Sequence, residues 1–160
     1  MTMGPSHSVE QVLDQHGDAL FRLGYFMLGS SADAEDAVQD TLIRYLQKHP
    51  QFADNEHEKA WLLRVMTNRC RDLLRWRARH PQVDLDELRH LTAPDEDSNI
   101  LAALMRLPPK LRLVMTLHYI EGYSVSEIAP MIGRTPSAVK MRLQKGRIEL
   151  ETIYRKEFMP

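Results

Sequence analysis

Apolar residues recur every three or four positions through most of this chain, the spacing of amphipathic helices. Val9, Val12, Leu13, Leu20, Phe21 and Met27 lie roughly on one stripe and predict a helix over 8–28, broken by Gly29-Ser30-Ser31. A second helix, from about Ala32 to Lys48, places Ala34, Ala37, Val38, Thr41, Leu42, Tyr45 and Leu46 inside. Its outer face carries Asp36, Gln39, Asp40 and Ile43. Pro50 to Glu58 reads as a polar loop. A third helix, from about His57 to Arg79, has an apolar stripe of Leu63, Met66, Cys70 and Leu73. Arg64, Asn68, Arg71 and Arg75 form another stripe, with Trp61 and Trp76 beside it and His80-Pro81 closing the helix. Later, Ile100, Leu101, Leu104 and Leu107 mark a helix from Ser98. Pro108-Pro109 opens one with Leu111, Val114, Met115 and Ile120 that ends at Gly122. No strand pattern or internal repeat interrupts this series.

The stretch 122–147 is the most structured to the eye. Ser124 and Glu127 make a capping box, in which each side chain satisfies a free amide at a helix start. Ile128, Met131 and Ile132 give that short helix a buried face, and Gly133 ends it. Thr135 caps the next helix and Pro136 suits its first position. Val139 and Leu143 turn this helix, expected to run to about Lys156, back onto its neighbour. Ser137, Lys140, Met141, Arg142, Gln144 and Lys145 are left outside. Two short helices at a tight glycine turn, the second cationic, form the pattern of a helix-turn-helix. The bland alternative is a helical hairpin with a solvated basic face. Such a face usually mixes signs. Here Arg134, Lys140, Arg142, Lys145 and Arg147 have no carboxylate between them, which favours DNA.

The whole chain of 160 residues has a net charge of -1, which hides segregation. Residues 98–160 hold ten Lys and Arg against five Asp and Glu, and 81–97 six acids against Arg89 alone. Residues 59–79 carry seven cations and only Asp72. The expected architecture is all-α: two small helical domains, 1–80 and 98–160, joined by an acidic linker over 81–97. Leu85, Leu88 and Leu91 could make one short amphipathic turn within the linker. Cations beside aromatics on the third helix suit an unpaired nucleic-acid strand, because rings stack on bases and cations neutralise phosphate. The alternative there is a core Trp61 and merely solvated arginines. Asp36 and Asp40 are like charges one turn apart. The helix dipole accounts for Asp33, Glu35 and Asp36 better than for Asp40, so an acidic docking face with Ile43 stands beside that explanation.

Other chemistries find no footing. No Gly-rich phosphate loop, nucleophile elbow or zincin motif occurs, and the seven histidines form no ligand pair at helical spacing with Cys70. No enzyme, metal or cofactor is expected. A single cysteine excludes an intrachain disulfide framework and fits a reducing cytoplasm. No apolar run approaches a membrane span, and the N-terminus lacks the regions of a signal peptide.

Both halves resemble one family, the bacterial RNA polymerase sigma factors of the extracytoplasmic-function type within the sigma-70 family. Ala32-Asp-Ala-Glu-Asp-Ala-Val-Gln-Asp-Thr-Leu-Ile-Arg44 and Ala60-Trp-Leu-Leu-Arg-Val-Met-Thr-Asn-Arg-Cys-Arg-Asp-Leu-Leu-Arg75 look like its region 2. Leu107-Pro-Pro-Lys-Leu-Arg-Leu-Val, Tyr119-Ile-Glu-Gly-Tyr-Ser-Val-Ser-Glu-Ile-Ala and Ala138-Val-Lys-Met-Arg-Leu look like region 4. The resemblance implies a protein that binds core RNA polymerase and directs promoter recognition and melting. Asp36, Gln39 and Asp40, with Ile43 beside them, would dock on the polymerase. Lys59, Trp61, Arg64, Asn68, Arg71 and Arg75 would engage the −10 element, with the loop Phe52 to Glu58 bordering a pocket for a flipped base. Arg134, Ser137, Lys140, Met141, Arg142 and Lys145 would enter the −35 major groove. The linker would lie in the RNA exit path, and an anti-sigma protein would hold the factor inactive. A stand-alone helix-turn-helix regulator and a sigma-like decoy for an anti-sigma protein remain alternatives. Three residues depart from the family pattern. Val125 replaces a common aromatic and Gly146 a common alanine, while Pro130 sits inside the first helix of the motif. An interior proline costs about 3 kcal/mol, so a kinked or one-turn-shorter helix is expected there.

Overall fold

The computed structural model describes residues 7–81 and 96–159, and these contain helices and no strand. The predicted linker turn of Leu85, Leu88 and Leu91 lies outside the described residues. The chain divides into two compact units, Met1–Arg79 and His80–Pro160.

The first unit packs three helices against one another: α1 (Val9–Leu28), α2 (Ser31–Lys48) and α3 (Asn55–Arg79). A capping box between Ser8 and Gln11 starts α1, and Gly29, at φ 69°, takes the left-handed turn that ends it. Ser30 then caps α2. At Gly24 an added Cβ would lie 3.1 Å from the Ala34 Cβ and 2.6 Å from the Met66 methyl. The absence of a side chain there lets α1 and α2 approach closely. The core comprises Val12, Leu20, Leu23, Met27, Ala34, Ala37, Tyr45, Leu62, Leu63, Met66 and Cys70. Leu13 and Leu46, placed inside by their spacing, are instead 48% and 47% exposed, and Phe21 and Leu42 are half-buried. Because α1 packs on two helices at once, Leu23, Phe26 and Leu28 carry the burial that a single stripe assigned to Leu13 and Phe21.

The expected loop is shorter than its sequence suggests. Asp54 accepts the His57 amide at 2.9 Å, and this bond and the His57 ring hold its carboxyl below the usual range. α3 therefore begins at Asn55, and Glu58 turns inward. Glu58 is fully buried. Its carboxylate accepts from His7 Nδ1 at 2.9 Å, His16 Nε2 at 3.0 Å and Tyr45 Oη at 3.0 Å. A carboxylate sealed in the core needs such donors to replace water.

The second unit holds α4 (Glu96–Met105), α5 (Pro109–Met115), a π-helical turn over Thr116–Ile120, α6 (Val125–Ile132) and α7 (Pro136–Phe158). Ile100 and Leu101, whose spacing marks the helix, are 44% and 41% exposed. Ala102, Ala103, Leu104, Met105 and Leu107 fill the interior instead. Buried Arg112 donates to the Met105 and Leu107 carbonyls at 2.6 and 3.2 Å, which satisfies the end of α4. Arg106 pairs with Glu157 and lies over the Phe158 ring, fixing α4 against the end of α7.

The cap signals of 124–136 appear as sequence chemistry dictates. Ser124 and Glu127 bond reciprocally, Gly133 has φ 68°, and the Thr135 hydroxyl accepts the Ala138 amide. Pro130 does not shorten α6, which continues to Ile132. Pro130 and Ser126 are both exposed, so the carbonyl that lacks a helical donor lies at the water side. Gly146 is buried, and a Cβ there would stand 2.9 Å from the Met115 Cγ. That close approach accounts for glycine at this position.

Candidate nucleic-acid interface

Helical spacing puts Asp36, Gln39, Asp40 and Ile43 along the outside of α2. Asp36 and Gln39 are exposed, and Ile43 is 51% exposed. Asp40 differs, because its carboxylate accepts from Arg69 Nε of α3 at 2.6 Å and is partly covered. Asp33, in the first turn of α2, pairs with Arg77, which also donates to the Leu28 carbonyl. Arg69 and Arg77 of α3 thus pair with acids of α2.

The remaining α3 residues form a ridge. Arg64, Asn68 and Arg75 are exposed, Arg71 is half-buried, and Arg75 pairs with Asp72 at 3.1 Å. Trp61 is half-buried, with ring centroids 6.1 Å from Tyr45 and 5.8 Å from Phe52. Trp76 is 45% exposed. A cleft of about 330 Å³ opens between α2 and α3, lined in part by Asp40, Arg44, Lys48, Trp61, Asn68 and Arg69. The structure therefore brings Trp61 and Asn68 together at one cleft. Lys59, Arg64, Arg71 and Arg75 lie outside its walls. Of the segment Phe52–Glu58 predicted to border a base pocket, Phe52 packs on Trp61, whereas Asn55–Glu58 form the first turn of α3. Sequence reasoning missed Arg44 and Lys48 at the cleft. Their spacing from Asp40, four and eight residues along α2, was the available signal.

On α7, Ser137, Lys140, Met141 and Lys145 are exposed, as is Arg134 in the turn before it. Arg142 is half-buried. Burial first, and the charge of Arg134 second, pull its guanidinium below the usual range. Among the described residues no carboxylate pairs with Arg134 or Arg142. The ridge thus sets cations around polar and apolar tips. On the same unit, Ile100, Leu101, Tyr119, Ile120, Leu150 and Tyr154 border an open apolar cleft of about 710 Å³. Among the described residues no helix is long and apolar enough to cross a membrane.

Residues 12–80 match the family model for Sigma-70 region 2, and residues 97–150 that for Sigma-70, region 4. The chain is similar to the ECF RNA polymerase sigma factor SigE of Mycolicibacterium smegmatis, 33% identical over 156 residues covering 89% of this chain. It is 30% identical to the ECF RNA polymerase sigma factor SigM of Mycobacterium tuberculosis over 92% of this chain and 77% of that one. This chain belongs to the ECF sigma factors of the sigma-70 family. It spans 60% of the length of the SigE relative. Among solved structures, CnrH in complex with the cytosolic domain of CnrY covers 93% of this sigma factor at TM-score 0.69 and 28% identity, with 88% of that chain matched.

Proposed function

We propose that this sigma factor is a promoter-specificity subunit of RNA polymerase, acting in the cytoplasm and performing no chemistry of its own. The exposed face of Asp36, Gln39 and Ile43, with Asp40 at its edge, docks on a basic and apolar surface of the core enzyme. The α3 ridge and the Trp61–Asn68 cleft hold the unpaired −10 strand, stacking a base on the ring while Arg64, Arg71 and Arg75 meet phosphate. Arg134 and the outer face of α7 enter the −35 major groove. The observation that carries this reading is the separation of charge within each unit. Asp36 and Gln39 stand exposed beside Ile43 on α2, and residues 134–147, from the turn into the first half of α7, carry five cations and no acid. The open apolar cleft beside Tyr119 fits a protein partner. CnrH is solved in complex with the cytosolic domain of CnrY, which supports a second protein partner for this chain, and we assign that place to an inhibitory anti-sigma protein.

Gel filtration of the chain with bacterial core polymerase tests the assignment. Co-elution, and a footprint over both promoter elements only when polymerase is present, are expected. A chain that protects DNA alone and never joins polymerase would be a stand-alone regulator. A chain that binds neither would be a decoy.

A further inference from the structure

Met141 is 68% exposed, more than any other large apolar side chain among the described residues. It lies about 160° around α7 from both buried anchors, Val139 and Leu143, at roughly 100° per residue. It is therefore the outermost point of the helix. Ser137 stands one turn before it and Lys145 one turn after, with Lys140 and Gln144 on the neighbouring row, all exposed. Every neighbour can donate a hydrogen bond to DNA, and Met141 alone cannot. A thioether at the tip of a groove-entering helix gains nothing from phosphate or from base hydrogen-bonding groups.

The major groove offers one apolar group on a base edge, the C5 methyl of thymine. Met141 is unbranched and soft, suited to covering a methyl without a fixed geometry. We propose that Met141 is a specificity-determining residue that selects thymine within the −35 element by contact with its C5 methyl. The proposal rests on the assignment of α7 to the −35 major groove and adds to it the base that one side chain reads. The surrounding Lys140 and Lys145 supply affinity that is indifferent to that base.

The test uses holoenzyme reconstituted from core polymerase and the full chain, with a duplex pool randomised across the −35 element. Thymines of the enriched sequence are replaced one at a time by uracil, which removes only the methyl. The expected result is one position, or two adjacent ones, at which uracil weakens binding by about fourfold, the worth of one methyl group leaving water. Met141→Ala should bind thymine and uracil duplexes equally, and Met141→Leu should restore the preference. Indifference of the wild-type holoenzyme to every uracil, or equal sensitivity in Met141→Ala, overturns the proposal. Failure to enrich any −35 sequence overturns the placement of α7 in the groove, and is distinguishable because no thymine comparison then exists.

Discussion

The Glu58 carboxylate draws together His7 ahead of α1, His16 within α1 and Tyr45 on α2, so one side chain ties three segments to the start of α3. Removing it strands the buried donors of His16 and Tyr45, which have no water to turn to. Glu58→Ala is expected to lower stability by on the order of 3 kcal/mol in urea unfolding, and an unchanged midpoint would contradict the buried-cluster account. Burial, chiefly, raises the Tyr45 hydroxyl from 10.0 to about 12, and burial likewise raises the Cys70 thiol from 9.0 to about 12. The unfolded chain releases these protons first, so the stability they carry is full below the unfolded values and is lost as pH climbs towards about 12. Tyr45→Phe should therefore flatten part of the decline between pH 10 and 12, leaving the part due to Cys70. An identical alkaline slope for both proteins would count against it. The sequence did not reveal this cluster, because its partners lie 51, 42 and 13 residues from Glu58. Only the cap at Asp54 was locally readable, and it would have drawn Glu58 out of the loop and into a helix.

Helices whose ends are fixed by their own side chains were the legible ones. Ser124, Glu127, Gly133, Thr135 and Pro136 act within four residues of themselves, and the helices they bound follow their spacing. The π-helical turn at 116–120 has no such local signature, and Ile100 and Leu101 share a helical stripe that tertiary packing leaves open. The face of α2 was legible as acidic, but the bond from Arg69 to Asp40 needs the register of two helices and could not be read from either. The pair separates two variants. Asp36→Lys should abolish polymerase binding while keeping stability within about 0.5 kcal/mol of wild type, since Asp36 is exposed. Asp40→Arg should lose binding and stability together, because it sets a second guanidinium beside Arg69. Equal stability in the two variants, measured by urea unfolding, would show that the Arg69 bond contributes nothing. On α7, Arg142→Ala should weaken −35 binding and reduce its salt slope by about one unit, as expected for one lost phosphate contact. An unchanged slope would remove Arg142 from the phosphate contacts.

At the scale of the molecule, the division into two helical units follows from the charge and proline content around 81–97 together with two separate apolar patterns. Membership of the sigma-70 family follows from motifs in both units, each of which alone would fit many helical proteins. The central claim is that one chain supplies both DNA-gripping ridges while the face of α2 holds it to polymerase. Multi-round transcription by core polymerase with this chain, on a pool of promoter fragments, tests that claim most directly. Discrete transcripts that require the chain and disappear with Asp36→Lys are the predicted result. A stable complex with polymerase that starts no transcript on any template would contradict it.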